Sequence, residues 1–151
     1  MARNISYFLV LDEKFMKETL KNPFDLKEDD KINLVHIFEK QTYFDELSAY
    51  NYPPQSEEET ITKSVLEILK AQGEKLKSKS KLPNLTVECH CIFSHNPKET
   101  AVEFLEKSQS QIAVIATKEK GKLSGIFTSS FTDYLCRHCK ADIYVTRHHE
   151  N

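Results

Sequence analysis

Glycine is scarce in this chain. Only Gly73, Gly121 and Gly125 occur in 151 residues, where an average usage of about 7% would give roughly ten. Glycine supplies positive φ angles and lets the backbone approach a bound phosphate closely. Three glycines at these positions cannot form a full glycine-rich dinucleotide-binding motif or a Walker loop. The sequence therefore excludes both of these nucleotide-binding motifs.

Long hydrophobic runs and an excess of one charge are also lacking. The longest apolar run, residues 7–11, is far shorter than the roughly 20 residues of a membrane-spanning helix. The first residues lack the apolar core and cleavage site of a signal peptide. With 21 basic and 23 acidic residues the net charge is −2, which argues against nucleic-acid and membrane partners. We therefore expect a cytoplasmic protein whose four cysteines are mostly reduced.

Short β-rich runs alternate with helical patterns along the whole chain. The runs predict strands at 5–11, 32–38, 85–93, 112–116 and 141–147, and the patterns predict helices at 13–21, 57–77, from 97 onward, and 130–139. Three pairs have the spacing of capping boxes, namely Ser56/Glu59, Asn96/Glu99 and Ser130/Asp133. The second helix carries an apolar stripe formed by Ile61, Val65, Ile68, Leu69, Gln72 and Leu76.

This alternation predicts one α/β domain over residues 1–151, a doubly wound parallel sheet with helices on both faces. In such sheets, ligands bind beyond the carboxyl ends of the strands, where the strand order reverses. Four loops lie at that rim, beginning at Asp12 and at residues 37–39, 94–96 and 117. These loops are where a binding site is expected.

Six segments form a recognisable pattern. They are FLVLD at 8–12, LVHI at 34–37, SHNP at 94–97, residues 117–124, SSFTDYL at 129–135 and IYVTR at 143–147. In this order and spacing they resemble the universal stress protein family over essentially the whole chain. The resemblance implies a Rossmann-like, five-stranded parallel sheet in the order 3-2-1-4-5. It also implies a stress-response or regulatory function.

Nucleotide-binding members of that family carry Gly-x-x-Gly, nine further residues, and Gly-Ser/Thr. The same spacing places Ala116, Glu119 and Ser129 at the glycine positions and Ser130 at the hydroxyl position. Ala116 adds a methyl group, and Ser129 loses the conformational freedom of glycine. Glu119 would repel a triphosphate by roughly 1–4 kcal/mol at about 4 Å. The motif is degenerate, and the resemblance favours a member that does not bind nucleotide tightly.

The resemblance also assigns roles to particular residues. Asp12 would meet the adenine and ribose end of a nucleotide, Ile37 would line the adenine slot, and Ser129 and Ser130 would face phosphate. The loop lysines, among them Lys118, could offset the charge of Glu119, which leaves ATP or AMP binding with slow or no hydrolysis as the alternative. Simple structural roles are open too, because Asp12 and Ser130 both occupy positions typical of helix N-caps.

No catalytic constellation is evident. Ser129 and Ser130 have no histidine or lysine base that the sequence places beside them, and no pair of carboxylates suits acid–base chemistry. His36, inside the second strand, is expected to be a hydrogen-bonded histidine of the core or rim. We therefore expect a binding or regulatory protein rather than an enzyme.

The four cysteines have the count of a zinc site, with Cys89 and Cys91 on one strand and Cys136 and Cys139 near the last. The family's strand order separates strands three and five by roughly 19 Å at about 4.8 Å per strand. Metal–sulfur bonds of about 2.3 Å cannot span that distance, so no metal is expected. Cys136 and Cys139 could instead form a redox-responsive pair whose pKa is lowered by the adjacent cations of residues 137–138, or serve as small buried hydrophobes.

Members of the family commonly dimerise through the last strand. Residues 143–145 would form an exposed edge that pairs with its two-fold mate. The resemblance therefore implies a homodimer.

Overall fold

The computed structural model describes residues 2–21, 25–40, 55–118 and 129–148, and every structural statement below concerns those ranges. Strands and helices alternate along them. In chain order they are β1 (Asn4–Phe8), α1 (Glu13–Thr19), β2 (Lys31–Glu39), α2 (Gln55–Ser80), β3 (Thr86–Ser94), α3 (Pro97–Lys107), β4 (Ile112–Lys118), α4 (Ser129–His138) and β5 (Asp142–His148).

The strands form one parallel sheet in the order β3-β2-β1-β4-β5, which confirms the predicted topology. In the centre, Ile5 of β1 is in register with Ile32 of β2 and Ile112 of β4. β1 ends at Phe8, earlier than predicted, because the chain turns away there. The amide of Leu9 still donates to Val35 O (2.8 Å), but that of Asp12 folds back onto Val10 O (2.8 Å).

The sheet is covered on both faces. Ile5, Tyr7 and Leu9 point toward one core, which also contains buried residues of α1 and α2. Phe8 points to the other core, which contains residues of α3 and α4 such as Leu105 and Phe131. Strands buried on both faces appear in sequence as continuous apolar runs, which is why the sequence revealed the central strands β1, β2 and β4.

Helix α2 approaches the sheet closely at Gly73. A Cβ atom built there would lie 3.0 Å from Val87 Cγ1 and 3.6 Å from Leu34 Cδ1. The missing side chain therefore lets the helix backbone lie against β3. Most of the predicted stripe on α2 is buried, but Ile68 is 42% exposed, so its assignment to the buried stripe was wrong. It lies at the margin of the stripe, one helical position from the fully buried Leu69.

A buried carboxylate ties β1 to the connection that precedes β2. Asp30 accepts hydrogen bonds from Arg3 Nε (3.1 Å), Arg3 Nη2 (2.7 Å) and the amide of Lys27 (2.9 Å). Burial raises the pKa of Asp30, but these hydrogen bonds outweigh that effect and the pKa lies below its ordinary value. The contact fixes the amino edge of the sheet, opposite the predicted ligand rim.

Two of the predicted helix starts need correction. α2 begins at Gln55, directly after Pro54, and α4 begins at Ser129, so Ser56 and Ser130 lie inside the helices rather than at their N-caps. The third capping box is confirmed, because Asn96 caps α3 by accepting from the amide of Glu99 (3.3 Å).

The described helices do not include one with the length and apolar composition needed to cross a membrane.

The shortage of glycine is visible at two helix ends. Lys81 (φ 58°) and Gln109 (φ 54°) adopt the left-handed conformation. They lie in Schellman-type ends, in which the amide of Leu82 donates to Lys77 O (3.0 Å) and that of Ser110 to Leu105 O (3.0 Å). Glycine is the usual residue at such positions because it lacks the Cβ penalty.

Replacing either residue with glycine is expected to stabilise the protein. Lys81→Gly and Gln109→Gly should each raise the free energy of unfolding by about 1 kcal/mol, because they remove the Cβ strain of the left-handed conformation. Urea denaturation measures the change. Gln109→Ala is the matched control, since alanine keeps the Cβ, and a glycine variant no more stable than this control would contradict the prediction.

Candidate functional site

The strand order reverses between β1 and β4. From β1 the chain continues to β2 on one side, and from β4 it continues to β5 on the other. The helices that follow these two strands, α1 and α4, cover opposite faces of the sheet. A crevice therefore opens beyond the carboxyl ends of β1 and β4, which is the general ligand position in such folds.

Asp12 lies at this crevice as the N-cap of α1. Its side chain is exposed and its Oδ1 accepts a hydrogen bond from the amide of Phe15 (3.0 Å). Asp12 thus has the N-cap role that the sequence left open as an alternative to ligand binding. A carboxylate has several acceptor positions, so the cap leaves Asp12 able to accept from a ligand hydroxyl as well.

Ile37 and Ala116 belong to the apolar wall beneath the crevice. Ile37 is fully buried and Ala116 is 1% exposed. Ile37 packs in the core under α3 and α4, and Ala116 is in register with Thr146 of β5. The methyl group of Ala116 is therefore buried at the first of the three motif positions.

The remaining motif positions are described only in part. Lys118 ends β4 in register with His148, and Ser129 begins α4, while the side chains of Lys118 and Ser129 are outside the description. Glu119 and the loop lysines 120 and 122 also lie outside the described residues. The backbone nevertheless places both ends of the degenerate loop at the crevice.

The structure brings a lysine to Ser130. Lys98 Nζ, from the first turn of α3, donates a hydrogen bond of 2.6 Å to Ser130 Oγ in the first turn of α4. Nothing in the sequence places a lysine beside this serine. The two groups lie 32 positions apart in the sequence, and only the packing of α3 beside α4 joins them. Because the ammonium group donates the bond, Lys98 acts here as a cation rather than as a base.

A sequence signal for Lys98 does exist. The N-terminal turn of a helix carries a partial positive charge and favours acidic residues. Lys98 sits in that turn directly after the Asn96 cap and Pro97, where its charge opposes the helix dipole. This placement is the one feature of the sequence that sets Lys98 apart within α3.

Neighbouring side chains hold the rim in place. His36 is 7% exposed, and its Nδ1 donates to Leu9 O (2.7 Å), with a pKa lowered by burial. This confirms the expected satisfied histidine. Ser94 Oγ accepts from the amide of Asn96 (3.0 Å) and contacts Thr100 Oγ1 (2.5 Å). These bonds fix the turn from β3 into α3 and hence the position of Lys98.

The cysteines occupy separate environments. β3 and β5 form opposite edges of the sheet, as the argument against a shared zinc site assumed. Burial raises the pKa of Cys139, the opposite direction to the lowering that its cationic neighbours would cause. Arg137 instead pairs with Asp133 (3.4 Å) and His138 lies against the ring of Tyr134.

Comparison with known proteins places this geometry in a family. The model of the universal stress protein family matches residues 18–147. No curated protein matches the chain in sequence.

Solved structures match over nearly the full length. Universal stress protein UspA from Lactobacillus plantarum is 11% identical, with a TM-score of 0.63, and the match covers 96% of this chain and 97% of that one. A universal stress protein in complex with cAMP is 8% identical (TM-score 0.52, 96% of each chain). A family protein from Arabidopsis thaliana with AMP bound is 12% identical (TM-score 0.54, 96% of this chain and 91% of that one). At these identities the likeness concerns the fold, whereas the family match concerns the sequence itself. The chain belongs to the universal stress protein family.

Proposed function

We propose that this chain is a non-catalytic stress-response or regulatory protein whose nucleotide site is degenerate and which acts as a homodimer. The observation that carries the proposal is the burial of Ala116, which is 1% exposed at the first glycine position of the motif. A methyl group there occupies space that glycine would leave free for the backbone to approach phosphate.

The Lys98 contact fixes the position of the Ser130 side chain. An anion at the start of α4 would be favoured by free amide groups and the helix dipole. The ammonium group of Lys98 donates to the Ser130 oxygen, so the hydroxyl keeps its own hydrogen and the contact does not by itself exclude a phosphate. Ala116 and Ser129 remove the glycine flexibility that would let the backbone adjust.

Adenine-nucleotide binding is the second candidate, and the same lysine favours it. Lysine binds phosphate as a point charge, and Lys98 stands beside the serine that the resemblance assigns to phosphate. The relatives with cAMP and with AMP bound make ATP or AMP the ligand to test. In this reading Lys98 replaces contacts that the missing glycine amides would make.

Calorimetric titration with Mg-ATP and with AMP separates the two candidates. For the degenerate site we expect a Kd weaker than about 10 μM, equivalent to about −7 kcal/mol. Tighter binding by the wild-type protein would contradict the proposal. Restoring the motif by Ala116→Gly, Glu119→Gly and Ser129→Gly together should tighten binding at least about tenfold.

Lys98→Gln tests which role the lysine has. If Lys98 only occupies the degenerate site, the weak affinity should stay weak. If Lys98 binds phosphate, the affinity should fall at least about tenfold, as expected for the loss of a charged hydrogen bond. Lys107→Gln, an exposed change on the same helix, is the matched control and should leave the affinity unchanged.

The edge strand β5 supports the homodimer. β5 pairs only with β4 in the sheet, and its Tyr144 and Val145 are 40% and 39% exposed. An edge strand with exposed apolar side chains readily adds another strand. A second copy related by two-fold symmetry would present the same strand to it.

Sedimentation at micromolar concentration is expected to show a dimer. Val145→Lys should weaken the dimer at least about tenfold, because a lysine on an edge strand opposes strand addition. Ile68→Lys is the control, since Ile68 is equally exposed but lies on α2. A wild-type protein that is strictly monomeric, or equal effects of the two variants, would argue against β5 as the interface.

A thiol-based redox sensor is the third candidate. Cys136 is exposed, whereas Cys139 is partly buried and its thiol contacts Ala141 O (3.7 Å). Burial raises the pKa of Cys139, and likewise those of Cys89 and Cys91. Only Cys136 combines a solvent-exposed position with a place in the Cys-x-x-Cys pair.

Alkylation by iodoacetamide tests the sensor. Cys136 should react faster than Cys89, Cys91 and Cys139, because the thiolate is the reactive form and burial disfavours it. Peptide mass mapping of a time course, with Cys136→Ser as the control, gives the order. Equal and slow reaction at all four cysteines would remove the redox hypothesis.

A further inference from the structure

The Cys-x-Cys segment of β3 has no part in the site described above. Cys89 and Cys91 are separated by one residue, so their side chains leave the strand on the same side. Both pack at the margin of the core that α2 covers, and both are partly buried free thiols. The intervening His90 faces the other side of the sheet, where its ring centroid lies 4.8 Å from that of Phe104 in α3. The strand therefore presents two thiols side by side, with the histidine between them pointing away.

The two thiols lie at an edge of the sheet. β3 pairs with β2 on one side, and it is the outermost of the described strands on the other. α2 covers the thiols from above, but the open edge of β3 leaves both of them partly exposed to solvent. A small ion can therefore reach them from the side without disturbing the core.

Strand geometry opposes a disulfide between Cys89 and Cys91. Two residues of a strand advance by roughly 6.5 Å, and parallel side chains leave their Cβ atoms about as far apart. A disulfide needs Cβ atoms within about 3.5–4.5 Å. A bridging metal ion instead adds two bonds of about 2.3 Å each, so that sulfur atoms about 4.6 Å apart suffice. Rotation of the two side chains toward each other supplies this smaller approach.

The number of available ligands selects the ion. Within the described ranges, no group of three or more histidine, cysteine or carboxylate side chains is placed to hold a metal ion. The other two cysteines belong to α4 and its end, on the opposite face of the sheet. Structural zinc takes four ligands, and iron–sulfur clusters need several cysteines. Among the metals that thiolates prefer, Cu(I) is the one that is satisfied by two ligands in a line.

The surroundings of the thiols keep them protonated until a metal arrives. Burial raises the pKa of both Cys89 and Cys91, so the thiolates do not form freely at neutral pH. The Thr62 hydroxyl hydrogen-bonds to Cys91 and favours its charged form. A metal that replaces the protons thus enters a partly dry site in which a hydrogen-bond donor is already placed.

Two lysines of α2 suit the charge of a copper dithiolate. Cu(I) with two thiolates carries a net charge of −1. The ammonium groups of Lys70 and Lys77 both favour the thiolate form of Cys89. Lys77 is also paired with Glu74 (3.4 Å), so Lys70 is the main counter-charge of the complex.

We propose that Cys89 and Cys91 bind one Cu(I) ion as a dithiolate on the α2 side of β3. Each thiol releases its proton to solvent, and the copper stays monovalent, so the step needs neither an oxidant nor a reductant. The separation of the two cysteine pairs excludes a shared site but not a site within one pair. The proposed site uses no residue of the nucleotide motif or of β5, so it does not depend on nucleotide binding or dimer formation.

Anaerobic titration with Cu(I), in competition with the chromogenic chelator bathocuproine disulfonate, tests the site. The full chain is used in reduced form with Cys136→Ser and Cys139→Ser, so that the other pair contributes no copper. We expect each chain to withdraw one Cu(I) ion from the chelator. Cys89→Ala and Cys91→Ala in this background should each weaken binding at least about a hundredfold, because losing a ligand costs more than losing a group that only supports one. His90→Gln is the matched control and should leave the affinity unchanged.

X-ray absorption of the copper-loaded background chain identifies the ligands without a further substitution. We expect two sulfur neighbours per copper and no nitrogen. Zn(II) should bind at least about a hundredfold more weakly than Cu(I), because two thiolates leave it two ligands short. Circular dichroism establishes that each variant is folded. The proposal would be overturned by a background chain that takes up no copper, by nitrogen or oxygen neighbours of the copper, or by equal effects of His90→Gln and Cys89→Ala.

Discussion

The central strand β1 must have hydrogen-bond partners along both edges and apolar cover on both faces, and the remaining elements supply them. β2 and β4 satisfy its backbone, and two separate cores enclose its side chains. The crossovers from β1 to β2 and from β2 to β3 place α1 and α2 on one face, and those from β3 to β4 and from β4 to β5 place α3 and α4 on the other. The reversal of strand order, and hence the crevice beside β1, follows from this arrangement.

What such a crevice can bind depends on the few side chains at its mouth. Family relatives show that the same fold accommodates adenine nucleotides. In this chain Lys98 donates a hydrogen bond to Ser130 in the first turn of α4, beside the crevice. The fold therefore does not depend on this contact, because neither Lys98 nor Ser130 belongs to the two cores that maintain the sheet.

The sequence was sufficient for the sheet and its order, because strands buried on both faces leave continuous apolar runs and the family motif links them. It was less reliable at element ends. β1 stops where Asp12 folds back onto Val10, and α2 starts directly after Pro54 rather than at a capping serine. The Lys98–Ser130 contact joins residues far apart in the chain. The space between α1 and α2 depends on how far these helices diverge, which no local pattern specifies.

Gly73 is the point at which α2 approaches the sheet most closely. With no Cβ at that point, the backbone of α2 lies against Val87 of the edge strand β3, on the side of the sheet away from α1. Several residues that follow Gly73 line the space between α1 and α2, namely Glu74, Lys75, Leu76, Ser78 and Lys79. One of only three glycines in the chain thus governs the width of a space that it does not itself line. A side chain at position 73 would push α2 away from β3 and change the width of that space without entering it.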